Sequence, residues 1–110
     1  MTSDSPVTEQ IRQQLDQHPV LLYMKGSPQM PQCGFSMRAV HILGSYGKKF
    51  AYVDVLSNPD IRRELPLYAN WPTFPQLYVN GELIGGCDII EELHHDSQLQ
   101  AVLDQAADPA

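Results

Sequence analysis

The sequence has two cysteines, one tryptophan and seven Lys or Arg residues against thirteen Asp or Glu, and each scarcity narrows what the chain can be. Cys33 and Cys87 lie far apart and do not match a zinc-knuckle spacing. A structural disulfide between them would be out of place in a reducing compartment. The formal net charge of −6 argues against nonspecific nucleic-acid binding, which needs clustered cations. No apolar run approaches the roughly 18 residues of a membrane-spanning helix. Met1-Thr2-Ser3-Asp4-Ser5 reads neither as a signal peptide nor as an Arg-rich transit sequence, so a cytoplasmic location is expected. What remains, 110 residues with 43% hydrophobic and 18% charged, suits one domain over residues 1–110 with one core and frayed ends, Asp108-Pro109-Ala110 among them.

The chain divides cleanly into periodic segments. Ser5 as cap, Pro6 at the first helical position and Val7, Ile11 and Leu15 at fourfold spacing predict a helix over 5–17, stopped at His18-Pro19. Val20 to Met24 is an uninterrupted apolar run, expected as a buried strand. A helix from about Phe35 to Tyr46 should turn Ala39, Val40, Leu43 and Tyr46 inward and stop at Gly47. A second strand over 50–55 completes a βαβ unit. Ser57 or Asn58 caps a third helix with Ile61, Leu65 and Tyr68 inside, kinked or ended early by Pro66. Asn80-Gly81 between 76–79 and 82–84 signals an antiparallel hairpin with a type I′ turn. Asp88 is placed to cap a last helix from Ile89 to about His94, continued from Ser97 to Ala106. The expected fold class is α/β, a four-stranded mixed sheet with helices on both faces.

Chemistry concentrates in Lys25-Gly-Ser-Pro-Gln-Met-Pro-Gln-Cys33-Gly-Phe-Ser36. Cys33 falls between a strand and a helix, where unpaired backbone N–H groups and the helix dipole favour thiolate over thiol. Lys25 adds a positive charge if the loop folds back. Ser36 stands where a two-cysteine redox motif would have its second thiol, so Cys33 cannot close a local disulfide. The adjacent His94 and His95 point about 100° apart in a helix and do not make a metal site. Trp71 is expected in the core. Cys87 has two readings, a small buried packing residue, which is preferred, or a resolving thiol that attacks a Cys33 mixed disulfide.

Lys25, Cys33-Gly34-Phe35-Ser36, Trp71-Pro72-Thr73-Phe74-Pro75 and Gly85-Gly86-Cys87-Asp88, in this order, resemble a monothiol glutaredoxin of the single-domain bacterial form. The likeness covers about residues 7–103 and implies the thioredoxin-like (glutaredoxin) fold with an additional N-terminal helix. It also implies glutathione binding, and carriage or transfer of a [2Fe-2S] cluster in iron–sulfur assembly. In that picture the cluster is bridged between two subunits by Cys33 and glutathione thiolates, four sulfur ligands in all. Apo-acceptors of clusters and a BolA-like protein are the implied partners, with a homodimer when cluster is bound. The alternative is a glutathione-dependent thiol–disulfide oxidoreductase using Cys33 as nucleophile, with weak activity expected.

The resemblance also distributes roles for glutathione. Lys25 and Arg62 are the cations for its carboxylates, with the neighbouring Arg63 a second candidate. The plain readings are a solvated Lys25, and Arg62 and Arg63 paired with Asp60 or Glu64 on a helix surface. Asp88, with the N–H groups of Cys87 and Asp88, would hold the γ-glutamyl end. Phe74-Pro75 would be a cis peptide, with Phe74 offering its N–H and C=O to the tripeptide as to an added strand.

Overall fold

The computed structural model describes residues 5–106. Helix α1 (Pro6–Gln17) starts where the capping residues place it: Ser5 Oγ accepts the Thr8 N–H at 3.1 Å, and Pro6 needs no donor there. Strand β1 (Val20–Met24) follows, with all five side chains buried. A small antiparallel hairpin, β2 (Gly26–Ser27) and β3 (Met30–Pro31), then leads to α2 (Gly34–Gly44). Strand β4 (Ala51–Asp54), helix α3 (Pro59–Ala69), strands β5 (Gln76–Val79) and β6 (Glu82–Gly85), and helices α4 (Cys87–His95) and α5 (Leu99–Asp104) complete the order. Among these described helices none is long and apolar enough to cross a membrane.

The main sheet has the order β4-β1-β5-β6. β1 runs parallel to β4, with Leu22 opposite Tyr52, and antiparallel to β5, with Leu22 opposite Leu77. β5 and β6 form the expected hairpin, with Asn80 (φ 53) and Gly81 (φ 79) both left-handed as a type I′ turn requires. Alternate residues of β1 enter opposite layers. Val20, Leu22 and Met24 pack with Ala39, Leu43, Ile90, Leu99 and Leu103 of α2, α4 and α5. Leu21 and Tyr23 pack with Ile11, Leu15, Ile61 and Leu65 of α1 and α3. Helices on both faces thus explain why β1 reads as continuous rather than alternating apolar sequence. This is the expected α/β architecture, a four-stranded mixed sheet flanked by helices with α1 added at the start.

Local expectations needed correction where side chains, not periodicity, set the boundary. α2 begins earlier than Phe35 because Cys33 itself serves as N-cap, and it ends at Gly44, before Tyr46. Tyr46 instead packs half-buried on the core and hydrogen-bonds His94 Nδ1 through its hydroxyl at 2.6 Å. α3 runs through Pro66 to Ala69, where Asn70 in the left-handed region closes it. Tyr68 is 42% exposed rather than inward. α4 starts at Cys87 with Gly86 as N-cap, so Asp88 lies within the first turn and does not cap. Gly85 permits this junction: at φ +150 a Cβ would stand 2.7 Å from Ile89 Cβ. The expectation for Asp108-Pro109-Ala110 lies outside the described residues.

Candidate functional site

The loop after β1 does fold back, and the backbone of Lys25 is what holds it. The Lys25 carbonyl accepts the Gln32 N–H at 2.9 Å, and the Lys25 N–H donates to Ser36 Oγ at 3.1 Å. Gly26, at φ +91, must be glycine because a Cβ would meet the Met30 carbonyl oxygen at 2.5 Å. Its N–H donates to Asp54 at 2.9 Å, which ties the hairpin to the end of β4. Burial pushes the Asp54 carboxyl up, but the N–H groups of Gly26 and Leu56 and the bonds from Ser57 bring it below its ordinary value.

That frame delivers Cys33 to the N-terminus of α2, half-buried, with its Sγ accepting the Ser36 N–H at 3.3 Å. Ser36 Oγ also lies 3.3 Å from the sulfur and is fully buried. Since Ser36 Oγ already accepts from Lys25, its proton is free to point at an ionised sulfur. Burial raises the Cys33 thiol, yet the Ser36 hydroxyl, the N–H groups of Ser36 and Phe35 and the Lys25 charge together hold it below its ordinary value. The sequence marked Ser36 only by the thiol it lacks. Its positive role had no sequence signal beyond a small hydroxyl residue three places after the cap.

Lys25 and Phe35 both line a cleft of about 530 Å³, in the range of roughly 300–1,000 Å³ common for small-molecule sites. Arg62 and Pro66 of α3, the connector from Trp71 to Pro75, and Gly86 to Ile89 at the start of α4 form its other walls. Phe74-Pro75 is cis. The expected Lys25, Arg62, Phe74, Cys87 and Asp88 therefore share one cavity. Arg63 does not join them. It is 63% exposed and pairs with Asp60 at 3.1 Å and Glu64 at 3.5 Å. Trp71 is not a core residue but a half-buried wall of the cleft, and its indole Nε1 is buried with no partner among the described residues.

A thiol whose ionisation is favoured, at a helix N-terminus near a cleft lined by two cations and an acid, points to redox or ligand chemistry on sulfur. Comparison with known proteins decides the family: the glutaredoxin family profile matches residues 20–84. The chain belongs to the glutaredoxin family. This glutaredoxin is 57% identical over 103 residues to "Glutaredoxin 4" of Escherichia coli (strain K12), covering 94% of this chain and 90% of that protein. It is 61% identical over 97 residues to "Glutaredoxin 4" of Buchnera aphidicola subsp. Baizongia pistaciae (strain Bp), covering 88% and 90%. Among solved structures, that of reduced poplar apo GrxS14 superposes with a TM-score of 0.79 at 42% identity, over 92% of this chain and 96% of that one. A buckwheat glutaredoxin–glutathione complex shares the fold, with a TM-score of 0.79 at 24% identity over 90% and 88%.

Both cysteines of this glutaredoxin are free. Cys87 is only 6% exposed, and its thiol is raised by burial and then by Glu91, against a lowering by Arg38. Of the two, only Cys33 has its thiol held below the ordinary value. Arg38 bridges the two helices that carry these cysteines, meeting Glu91 at 2.9 Å and lying 5.4 Å over the Phe35 ring. No group of three or more His, Cys, Asp or Glu side chains among the described residues could hold a metal ion.

Proposed function

We propose that this glutaredoxin is a monothiol carrier that binds glutathione in the cleft and, with it, holds a [2Fe-2S] cluster as cargo between two subunits. The observation that carries this reading is the solitary activated thiol: Cys33, held below its ordinary value, with buried Ser36 in place of a second thiol, next to a cleft whose lining includes Lys25, Arg62 and Asp88. A [2Fe-2S] cluster takes four sulfur ligands. Cys33 from each of two chains and the thiol of one glutathione on each chain supply them. In this reading Lys25 and Arg62 bind the tripeptide's carboxylates. Asp88 meets its ammonium, while the N–H groups of Cys87 and Asp88 at the start of α4 meet the γ-glutamyl carboxylate. Phe74 pairs with its backbone, and residues 1–110 act as one domain.

The setting is the cytoplasm. Apo-acceptors receive the cluster, and a BolA-like protein can replace one subunit as partner. Half of the ligand set is exogenous, which suits a cluster meant to be passed on. In the test, protein reconstituted anaerobically with iron, sulfide and glutathione develops cluster absorbance, and Cys33→Ser abolishes it. Stoichiometric cluster in that variant refutes the assignment.

The lowered Cys33 thiol also favours a second reading, a glutathione-dependent oxidoreductase. The thiolate would attack the glutathione sulfur of a mixed disulfide, expelling the target thiolate. A second glutathione thiolate would then attack the Cys33–glutathione bond, giving glutathione disulfide and restoring Cys33. Steady turnover of a glutathione mixed disulfide, lost in Cys33→Ser and kept in Cys87→Ala, identifies this activity.

A further inference from the structure

Beyond the residues placed in the site, Gln76 at the start of β5 stands out as a buried polar side chain, with 0% exposure. Its Nε2 donates to the Trp71 carbonyl at 2.9 Å and the Thr73 carbonyl at 3.2 Å. Its Oε1 accepts the Tyr78 hydroxyl proton at 2.9 Å. Carbonyls only accept, so the amide has one orientation that satisfies all three bonds, nitrogen toward the connector and oxygen toward Tyr78. Burial, and then the neighbouring Tyr68, push the Tyr78 hydroxyl up, which keeps it protonated and donating. Both carbonyls held by Gln76 belong to the connector that walls the cleft.

A trans peptide is planar and carries its C=O and N–H on opposite edges. The Thr73-Phe74 bond is trans, since the cis bond of this connector is Phe74-Pro75. Gln76 grips the Thr73 carbonyl from the interior, so the N–H of Phe74 points the opposite way, out of the core. Phe74 is part of the cleft wall.

We infer that Gln76 is a positioning residue for the tripeptide: by holding the Thr73 carbonyl inward it aims the Phe74 N–H into the cleft, ready to donate to a backbone carbonyl of glutathione. The inference rests on the glutathione reading above. Without the grip, the connector peptide must be ordered at the moment of binding, and affinity falls by that cost.

The experiment is a titration of isotope-labelled wild-type protein and of Gln76→Met with reduced glutathione, followed at backbone amides by NMR. In the wild type the Phe74 amide shifts and gains protection from exchange. Gln76→Met, similar in size but unable to hold either carbonyl, binds roughly tenfold more weakly or worse. Its Phe74 amide no longer responds, while the amides of Cys87 and Asp88 still do, and its Cys33 is alkylated at the wild-type rate. Equal affinity in the two proteins overturns the inference and leaves the glutathione reading standing. So does weaker binding in which the Phe74 amide responds at saturation as in the wild type. Absence of binding by the wild type overturns both. If Gln76→Met does not fold, the wild-type titration decides alone: a silent Phe74 amide beside responding Cys87 and Asp88 amides refutes the aim assigned to Gln76.

Discussion

Removing the Ser36 hydroxyl isolates the device that activates Cys33. In Ser36→Ala the part-buried Lys25 N–H loses its acceptor at 3.1 Å, and the Cys33 sulfur loses the hydroxyl at 3.3 Å. An orphaned buried donor costs about 1–3 kcal/mol. Alanine returns about 0.5 kcal/mol as the better helix former. The net loss is then roughly 0.5–2.5 kcal/mol, seen as a fall in melting temperature of about 4–8 °C for each kcal/mol. A second part depends on pH. Because folding lowers the Cys33 thiol, the stabilisation it brings is fully present above the unfolded thiol value, about pH 8.5, and is lost as pH falls through the lower folded value. Solvent screens a half-exposed sulfur, so this part stays below about 1 kcal/mol. Urea unfolding of wild type and Ser36→Ala at about pH 9 and about pH 5.5 reads both parts. A larger destabilisation at the higher pH is expected, together with slower alkylation of Cys33 near neutrality. A penalty identical at both pH values refutes donation to the thiolate, and one under about 0.5 kcal/mol refutes the Lys25 bond.

Three further variants test the surrounding geometry. Arg62→Ala, which empties a cationic wall of the cleft, should weaken glutathione binding tenfold or more by calorimetry, as loss of a charged hydrogen bond of about 1.5–3 kcal/mol implies. Arg63→Ala, whose partners are Asp60 and Glu64 on the exposed face of α3, should leave both affinity and stability within about 0.5 kcal/mol. Gly85→Ala should destabilise by about 1–3 kcal/mol in the same urea assay, since it combines a left-handed φ of +150 with a Cβ driven against Ile89.

Much of the fold was legible because its signals were local and redundant. Ser5-Pro6 with the Val7, Ile11, Leu15 stripe, and Asn80-Gly81 between apolar runs, each combine a boundary signal with a period. Boundaries failed where tertiary contacts overrode propensity. Pro66 was expected to kink α3 or end it early, and the early end does not occur: the helix continues to Ala69, with Leu65 buried in the core and Pro66 itself in the cleft wall. The β2–β3 hairpin left no trace because two-residue strands have no period to read. In the site, charged and sulfur residues could be nominated from their type. Ser36, Trp71 and Gln76 could not, because their importance lies in buried partners: a backbone N–H, a cleft wall and two connector carbonyls. Arg62 and Arg63 were separated only by the turn of α3, which brings one to the cleft and leaves the other with Asp60 and Glu64.

The central claim is that one chain contributes a single sulfur and must borrow the rest. Native mass spectrometry of anaerobically reconstituted protein, with glutathione present or withheld, addresses it directly. With glutathione the account predicts a species of two chains, two tripeptides and one [2Fe-2S] cluster, and without any soluble thiol it predicts bare chains. A cluster-bearing species formed at full yield in the absence of glutathione would contradict it.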